Sequence, residues 1–332
     1  MNKTTRLKIA LLNAENLFLL FDQPATSDLL KLEETQWQRL SSSIFPNKPL
    51  KKCFALAKTF QEINPDIILL CEVGGAESLK NFNNLFLNSA YSEALIEGNS
   101  DRHIDVGYLV RKNLDFFFDL LSNKNRALNF LYPHERNPSL HLPSHKFSRD
   151  ALELKLFQKD KEDPFLLILL THLKSRLDQY GFDPQGFERR GAELNTLLNI
   201  YSEQTQKYPR TPILVAGDFN GQAGRPQPDE EFKPIYSNTD LEDVLEIAQI
   251  PTESRATYYQ IRNSNKNEGR QIDFCFFSEK LKPFLKAHST SVVRYKDQQG
   301  NEIPRPQSLD EKFALPSDHY PIVFELENLG VW

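Results

Sequence analysis

Asn13, Glu15, Glu72, His172, Asp218, Asn220, Asp273, Asp318 and His319 can each bind a metal or move a proton, and all stand at the ends of short apolar runs. Five carboxylates drawn together would repel one another unless a cation neutralised them, so a cluster of this kind implies a bound metal. Carboxylate and amide oxygens, with few histidines and no cysteine, suit Mg²⁺ or Mn²⁺ better than Zn²⁺. A hard cation in such a pocket suits an anionic phosphate substrate. Attack of water at phosphorus then needs a base, a group that orients the water, and cations on the phosphate oxygens. Asp218, Asn220 and the histidines can fill those roles.

The elements that must position these groups are equally visible. Ile9-Ala10-Leu11-Leu12 runs into Asn13, and Ile67-Ile68-Leu69-Leu70-Cys71 runs into Glu72. Phe165–Leu170 runs into Thr171-His172, and Ile213–Ala216 into Gly217-Asp218-Phe219-Asn220. Each run has the length and composition of a strand buried on both faces. Two later runs reverse the order: Asp273 opens Phe274–Phe277, and Asp318-His319 opens Tyr320–Phe324. If these two run antiparallel to the first four, every polar cluster meets at one edge of the core. Residues 13 and 319 then share a pocket, which predicts one domain over residues 1–332. Helical spacing is clearest from Leu50 to Ile63 and from Phe187 to Tyr201. Segments 22–52, 128–148, 222–240 and 296–316 read as loops.

Asn13-Ala14-Glu15-Asn16, Pro65–Val73, Thr171-His172-Leu173-Lys174-Ser175, Gly217–Asn220, Gln271–Phe274 and Ser317–Ile322 together resemble the ordered motifs of the endonuclease/exonuclease/phosphatase superfamily. The resemblance implies an α/β fold, a four-layer sandwich of two mixed sheets packed face to face with helices outside. It also implies roles. Glu72 would be the principal metal ligand, with Glu15 and Asp318 as further ligands and Asn13 assisting there and at the substrate. Asp218 would position or deprotonate the attacking water, which Asn220 orients. Asp273 would fix and polarise His319 against the scissile phosphate, a pairing that also makes sense chemically because a carboxylate favours the imidazolium. His172 would be the second active-site histidine. Phe147–Leu152 resembles a deoxyribonuclease segment whose arginine, here Arg149, contacts phosphate. The activity implied is phosphodiester hydrolysis with Mg²⁺ or Mn²⁺, on nucleic acid. The alternatives are a phosphatase or phospholipase-type enzyme on a small phosphorylated or lipid substrate, and a catalytically silent binding module. A silent relative should have lost Glu72, Asp218, Asp273 or His319, and all four are present.

The chain has 332 residues, 39% of them hydrophobic and 26% charged, which excludes a disordered or collagen-like polymer. Its net charge of −5 argues against a protein that grips nucleic acid mainly by counterion release. Cys53, Cys71 and Cys275 form no paired motif and read as buried thiols in a reducing compartment. The apolar run after Lys8 is too short for a signal peptide and no run spans a membrane, so a cytoplasmic monomer is expected. Several residues have plainer readings. His141 and His145, flanked by Pro138 and Pro143, are loop histidines. Phe116-Phe117-Phe118 belongs to a core or sheet surface. Arg189-Arg190 with Glu188 and Glu193 forms a salt-bridged helix face. Lys174 and Arg176 either touch phosphate or lie in a solvated loop.

Overall fold

The computed structural model describes residues 5–136, 142–159, 161–178, 181–262 and 267–330. Its strands are β1 (Thr5–Leu17), β2 (Ile67–Val73), β3 (Tyr91–Leu95), β4 (Asp105–Arg111), β5 (Phe117–Ser122), β6 (Ala151–Phe157) and β7 (Leu166–His172). They continue with β8 (Ile213–Asp218), β9 (Glu242–Asp243), β10 (Tyr258–Gln260), β11 (Glu268–Arg270), β12 (Asp273–Phe277), β13 (Ser291–Val292) and β14 (Ile322–Leu329). They build two six-stranded sheets, ordered β13-β14-β1-β2-β4-β3 and β5-β6-β7-β8-β12-β9, while β10 and β11 form a separate hairpin.

Each large sheet holds one parallel pair, β1–β2 in the first and β7–β8 in the second. A parallel pair needs a long crossover. Helix Leu50–Ile63 supplies the first and helix Phe187–Lys207 the second. Helix Leu50–Ile63 stops where Asn64 turns left-handed at φ 53° ahead of Pro65, a residue pair that favours a helix end. Strands β14 and β12 return antiparallel to β1 and β8, as their reversed polar ends require. The register sets His172 opposite Asp218, and Asp218 opposite Asp273, so three functional side chains stand abreast on neighbouring strands.

Alternation along the strands builds the layers. Ile9, Leu11, Ile67 and Leu69 pack against Leu154, Ile168, Leu170 and Leu214 between the sheets. Ile68 and Leu70 turn outward onto Leu56, Phe60 and Phe82 of the helices, and Leu167, Leu169 and Val215 turn outward onto Leu194, Leu197 and Tyr201. Burying each large aliphatic side chain contributes about 1.5–3 kcal/mol, so two intersheet faces and two helix faces hold the edge rigid. The result is a mixed α/β sandwich of four layers.

The segments read as loops contain more structure than their composition suggests. Short helices occupy Glu34–Trp37, Lys233–Asn238 and Leu309–Ala314, and Trp37 is fully buried with its indole N–H donating to the Lys48 carbonyl (2.9 Å). Pro234 opens the second of these helices and Ser308 caps the third, and the pattern of apolar residues within all three is too brief to register as periodic. Phe117 is half exposed on β5, stacked on Phe157 (5.3 Å between centroids), and lies on a sheet surface. His145 sits in a loop and meets Glu135 (2.7 Å); His141 lies outside the described residues.

Candidate active site

Asp218 closes β8 at the point where the chain turns away from the sheet. Gly217 reaches that turn at φ 147°, and a Cβ there would collide with the Thr171 carbonyl oxygen, so only glycine fits. Asp218 is almost wholly buried. Its Oδ1 accepts from the Asn220 backbone N–H (2.8 Å) and its Oδ2 from the Asn13 side-chain amide (2.9 Å). Asn220, at φ 53°, spends its own amide on the Leu173 carbonyl (3.0 Å). Glu15, Asn16 and Glu72 are also left-handed, at φ 50°, 54° and 60°. Four non-glycine residues in this sparsely populated region at one sheet edge is the signature of a site held by its surroundings.

Two histidines flank Asp218 and differ in charge, one positive and one neutral. His319 Nδ1 donates to Asp273 Oδ2 (2.8 Å), and its backbone is pinned by Ser317, whose hydroxyl takes the His319 N–H (3.1 Å) and donates to the Asn13 carbonyl (2.7 Å). Burial opposes a charge on His319, but the Asp273 carboxylate overrides it and holds the imidazole well above its ordinary range. His172 Nε2 lies 3.5 Å from Asp218 Oδ2, while its buried Nδ1 has no partner among the described residues. Burial, with the nearby charges of Arg149 and His319, keeps His172 well below its ordinary range. That approach is a neutral imidazole beside a carboxyl, not an ion pair. Burial and the charge on Asp273 push Asp218 itself up to about 7.

Ligand atoms of Asp218, Asp273 and His319 come within 4.8 Å of one another. Because His319 holds a proton, the charge of the two carboxyl groups is partly offset from within. The carboxylates read as metal ligands are arranged differently. Glu15 is paired with two buried lysines, Lys52 (2.8 Å) and Lys48 (3.4 Å), and Asp318 Oδ2 with Lys312 (3.2 Å). Glu72 accepts one hydrogen bond, on Oε2 from the Asn16 backbone (3.0 Å), and meets no cationic side chain among the described residues. Asn13 has both ends of its amide engaged, accepting from the Glu15 backbone (3.0 Å) while donating to Asp218. An oxygen donor set centred on Glu72 fits a hard divalent cation.

Arg149 precedes β6 and is nearly buried, yet among the described residues it forms no ion pair; its guanidinium donates one hydrogen bond, to Ser148 Oγ (3.2 Å), and its Nε has no partner among them. Asp150 turns away to Ser122 (2.6 Å) and the Asn123 backbone (2.9 Å). The segment is held by Glu193, whose two carboxylate oxygens accept from the Ser148 N–H (2.8 Å) and the Lys174 N–H (2.6 Å). Glu193 therefore ties the Arg149 segment to the loop following His172. The helix face read as salt-bridged does carry the Arg189–Glu193 pair (3.6 Å), but part of it is interior: Glu193 and Arg190 are buried, and Arg190 Nε pairs with Glu231 (3.0 Å). Lys174 spends its ammonium on the carbonyls of Ser175 and Leu177, and Arg176 pairs with Asp229 (2.7 Å).

The sequence reading missed Lys48, Lys52, Lys312 and Glu193. One signal was available, because Lys52 stands four and eight residues before Leu56 and Phe60, on the apolar stripe of its helix. Tyr258 was also missed; its ring tilts against His319 (5.2 Å) and carries Lys312 Nζ over its face (3.5 Å).

Residues 53–319 match the model of the Endonuclease/Exonuclease/phosphatase family. The chain belongs to that family. Its members are generally phosphoester hydrolases that depend on a divalent metal. No curated protein matches the chain at a significant level. Among solved structures, truncated TDP2 of Caenorhabditis elegans superposes with a TM-score of 0.58 at 17% identity, over 97% of this chain and 97% of that one. The human Nocturnin catalytic domain with bound sulfate gives 0.56 at 16% identity, over 97% and 96%. D. rerio TDP2 complexed with a single-strand DNA product also gives 0.56 at 16% identity, over 97% and 98%. At these identities the likeness is one of fold. Among the described residues no helix is long and apolar enough to cross a membrane.

Proposed function

We propose that this protein is a single-domain, divalent-metal-dependent phosphodiesterase that cleaves nucleic acid. The observation that carries the reading is Asp218, a buried carboxyl pushed up to about 7 and set between a neutral His172 and a positively charged His319. Two groups whose environments drive their proton affinities apart are what acid–base chemistry at neutral pH requires. Asp218 takes the proton of the attacking water, and the Asn220 backbone, bonded to its Oδ1, fixes the carboxylate's orientation. His319 and the guanidinium of Arg149, whose Nε has no partner among the described residues, receive the charge of the phosphate oxygens. His172 stays neutral and offers a hydrogen bond rather than a charge. Glu72 would hold Mg²⁺ or Mn²⁺; Glu15 and Asp318 are already neutralised by lysines, which favours one ion over two. Once bound, the ion supplies Lewis-acid stabilisation of negative charge on the phosphate.

A nucleic acid is favoured over a small phosphomonoester because D. rerio TDP2, similar in fold, is known bound to single-strand DNA product. Three buried free cysteines fit a reducing, cytoplasmic setting, and a monomer remains the reading. The test is turnover of supercoiled DNA, single strands, RNA, bis(p-nitrophenyl) phosphate and phosphomonoesters with Mg²⁺ or Mn²⁺. Divalent-dependent cleavage of diesters is expected; turnover of monoesters alone would overturn the reading. Glu72→Gln should weaken Mn²⁺ binding in calorimetry at least tenfold while the fold survives, and unchanged affinity would place the ion elsewhere.

A further inference from the structure

A pocket of about 490 Å³ opens between the segment that follows Asn220 and the β10–β11 hairpin. Arg176, Arg225, Arg255 and Arg270 line it, against the carboxylates of Asp229 and Glu268. A cavity with two positive charges in excess is unusual on a chain whose net charge is −5.

The charge there is only partly spent. The Arg225 guanidinium lies over the Tyr236 ring (4.5 Å) and pairs with no carboxylate among the described residues, while its backbone N–H donates to Glu246 (2.8 Å). Arg255 gives Nε to the Ile250 carbonyl (2.6 Å), with its Nη1 only loosely set at 3.5 Å from Glu246. Arg270 reaches Glu268 through Nη2 (2.9 Å), while its buried Nε has no partner. Stacked or half-anchored guanidiniums are oriented before a ligand arrives, so little side-chain entropy is lost when they bind one. The unfilled donors call for an anion with several acceptor oxygens, and the planar fork of arginine matches phosphate.

The pocket also adjoins the candidate active site. Arg176 Nε donates to the Asn220 carbonyl (3.2 Å), and Ile272, which lines the pocket, directly precedes Asp273. Thr257 Oγ1 accepts from the N–H groups of both Ile272 and Asp273 (3.2 Å each), so the pocket floor and the carboxylate that holds His319 rest on one support.

We propose that this pocket is a second phosphate subsite, filled by a neighbouring phosphate of the same polynucleotide whose scissile phosphate lies at Asp218. The proposal rests on the nuclease reading above and adds to it a requirement for length. A substrate with one phosphate leaves the pocket empty, and one with a further phosphate at the right distance gains affinity without a faster chemical step.

The experiment is equilibrium binding of fluorescein-labelled oligothymidylates of two to six residues, by anisotropy in EDTA, to wild type and to Arg255→Met/Arg270→Met. Wild type should gain about tenfold in affinity at the length where a phosphate first reaches the pocket, and the double variant should lose that step. The charge-matched control Lys80→Met/Lys280→Met, on exposed lysines elsewhere, should keep it. Turnover of bis(p-nitrophenyl) phosphate should keep its KM and kcat in the double variant. A smooth rise of affinity with length, or a step that survives in the double variant, overturns the subsite. Inorganic phosphate binding that is lost in the double variant, with no length step, would mark a site for a free anion and also overturns it. Failure to hydrolyse any diester overturns the nuclease reading alone, because the binding step is read without turnover.

Discussion

His319 and His172 flank one carboxyl group, both buried, yet one is charged and the other neutral. On the His319 side, Asp273 accepts the imidazole proton at 2.8 Å and the charge is kept. On the His172 side the facing carboxyl, Asp218 Oδ2, stands 3.5 Å from Nε2 and is itself pushed up to about 7, Nδ1 has no partner among the described residues, and the charges of Arg149 and His319 oppose a proton. Burial acts alike on both, so the difference comes from one neighbour. A histidine's burial therefore says little about its charge until the group behind it is known. The same edge consequently offers a phosphate two kinds of partner, an imidazolium and a guanidinium as charges and a neutral imidazole as a hydrogen-bonding surface.

The largest effect should follow from removing what the two sides share. Asp218→Asn should slow single-turnover cleavage by about 10³–10⁴-fold, near the upper end of what general-base catalysis supplies, with substrate affinity held or tightened because an anion has left the pocket. A wild-type single-turnover rate would remove Asp218 from the chemical step.

Next come the two histidines in parallel. His319→Gln should cost about 10²–10³-fold in kcat and His172→Gln about tenfold, since one substitution removes a charge and the other only a neutral contact. Equal losses would erase the asymmetry. Asp273→Asn tests its cause. Without the carboxylate the imidazolium loses its stabilisation, so the His319 pKa falls and the proton leaves at lower pH. The variant's deficit should widen from a few-fold near pH 6 to about 10²-fold near pH 9 in a kcat profile. A constant factor across that range would leave Asp273 an orienting role only. The smallest perturbation needs no mutation: imidazole ¹⁵N shifts should show His319 protonated at pH 8 and His172 neutral at pH 6.

Much of this edge was legible before any coordinates. Asn13, Glu72, His172 and Asp218 follow apolar runs, while Asp273 and His319 precede them, and a sheet can bring such ends together only if the later strands turn back. β12 and β14 do so. What could not be read was the pairing of charges. Glu15 and Asp318 look like ligands in a linear chain because nothing nearby in sequence neutralises them, yet Lys48, Lys52 and Lys312 arrive from other elements. Glu193 looked like one charge among several on a helix face. Its burial is decided by Ser148 and Lys174, two backbone N–H groups far away along the chain, and helical spacing carries no information about loops that later cover a face.

The pairing of β14 with β1 has a consequence for how the protein comes into being. Ser317 reaches back to the carbonyl of Asn13 across 304 positions of sequence, and His319 enters the site only when β14 docks beside β1. A ribosome that has made everything up to residue 316 has released most of both sheets but no assembled centre. Chains terminated before Ser317 would lack His319 and the Ser317–Asn13 tie however much of the sandwich they complete, so synthesis of the site waits for the last strand. The same seam is a natural place to divide the protein into two fragments whose reunion would switch activity on.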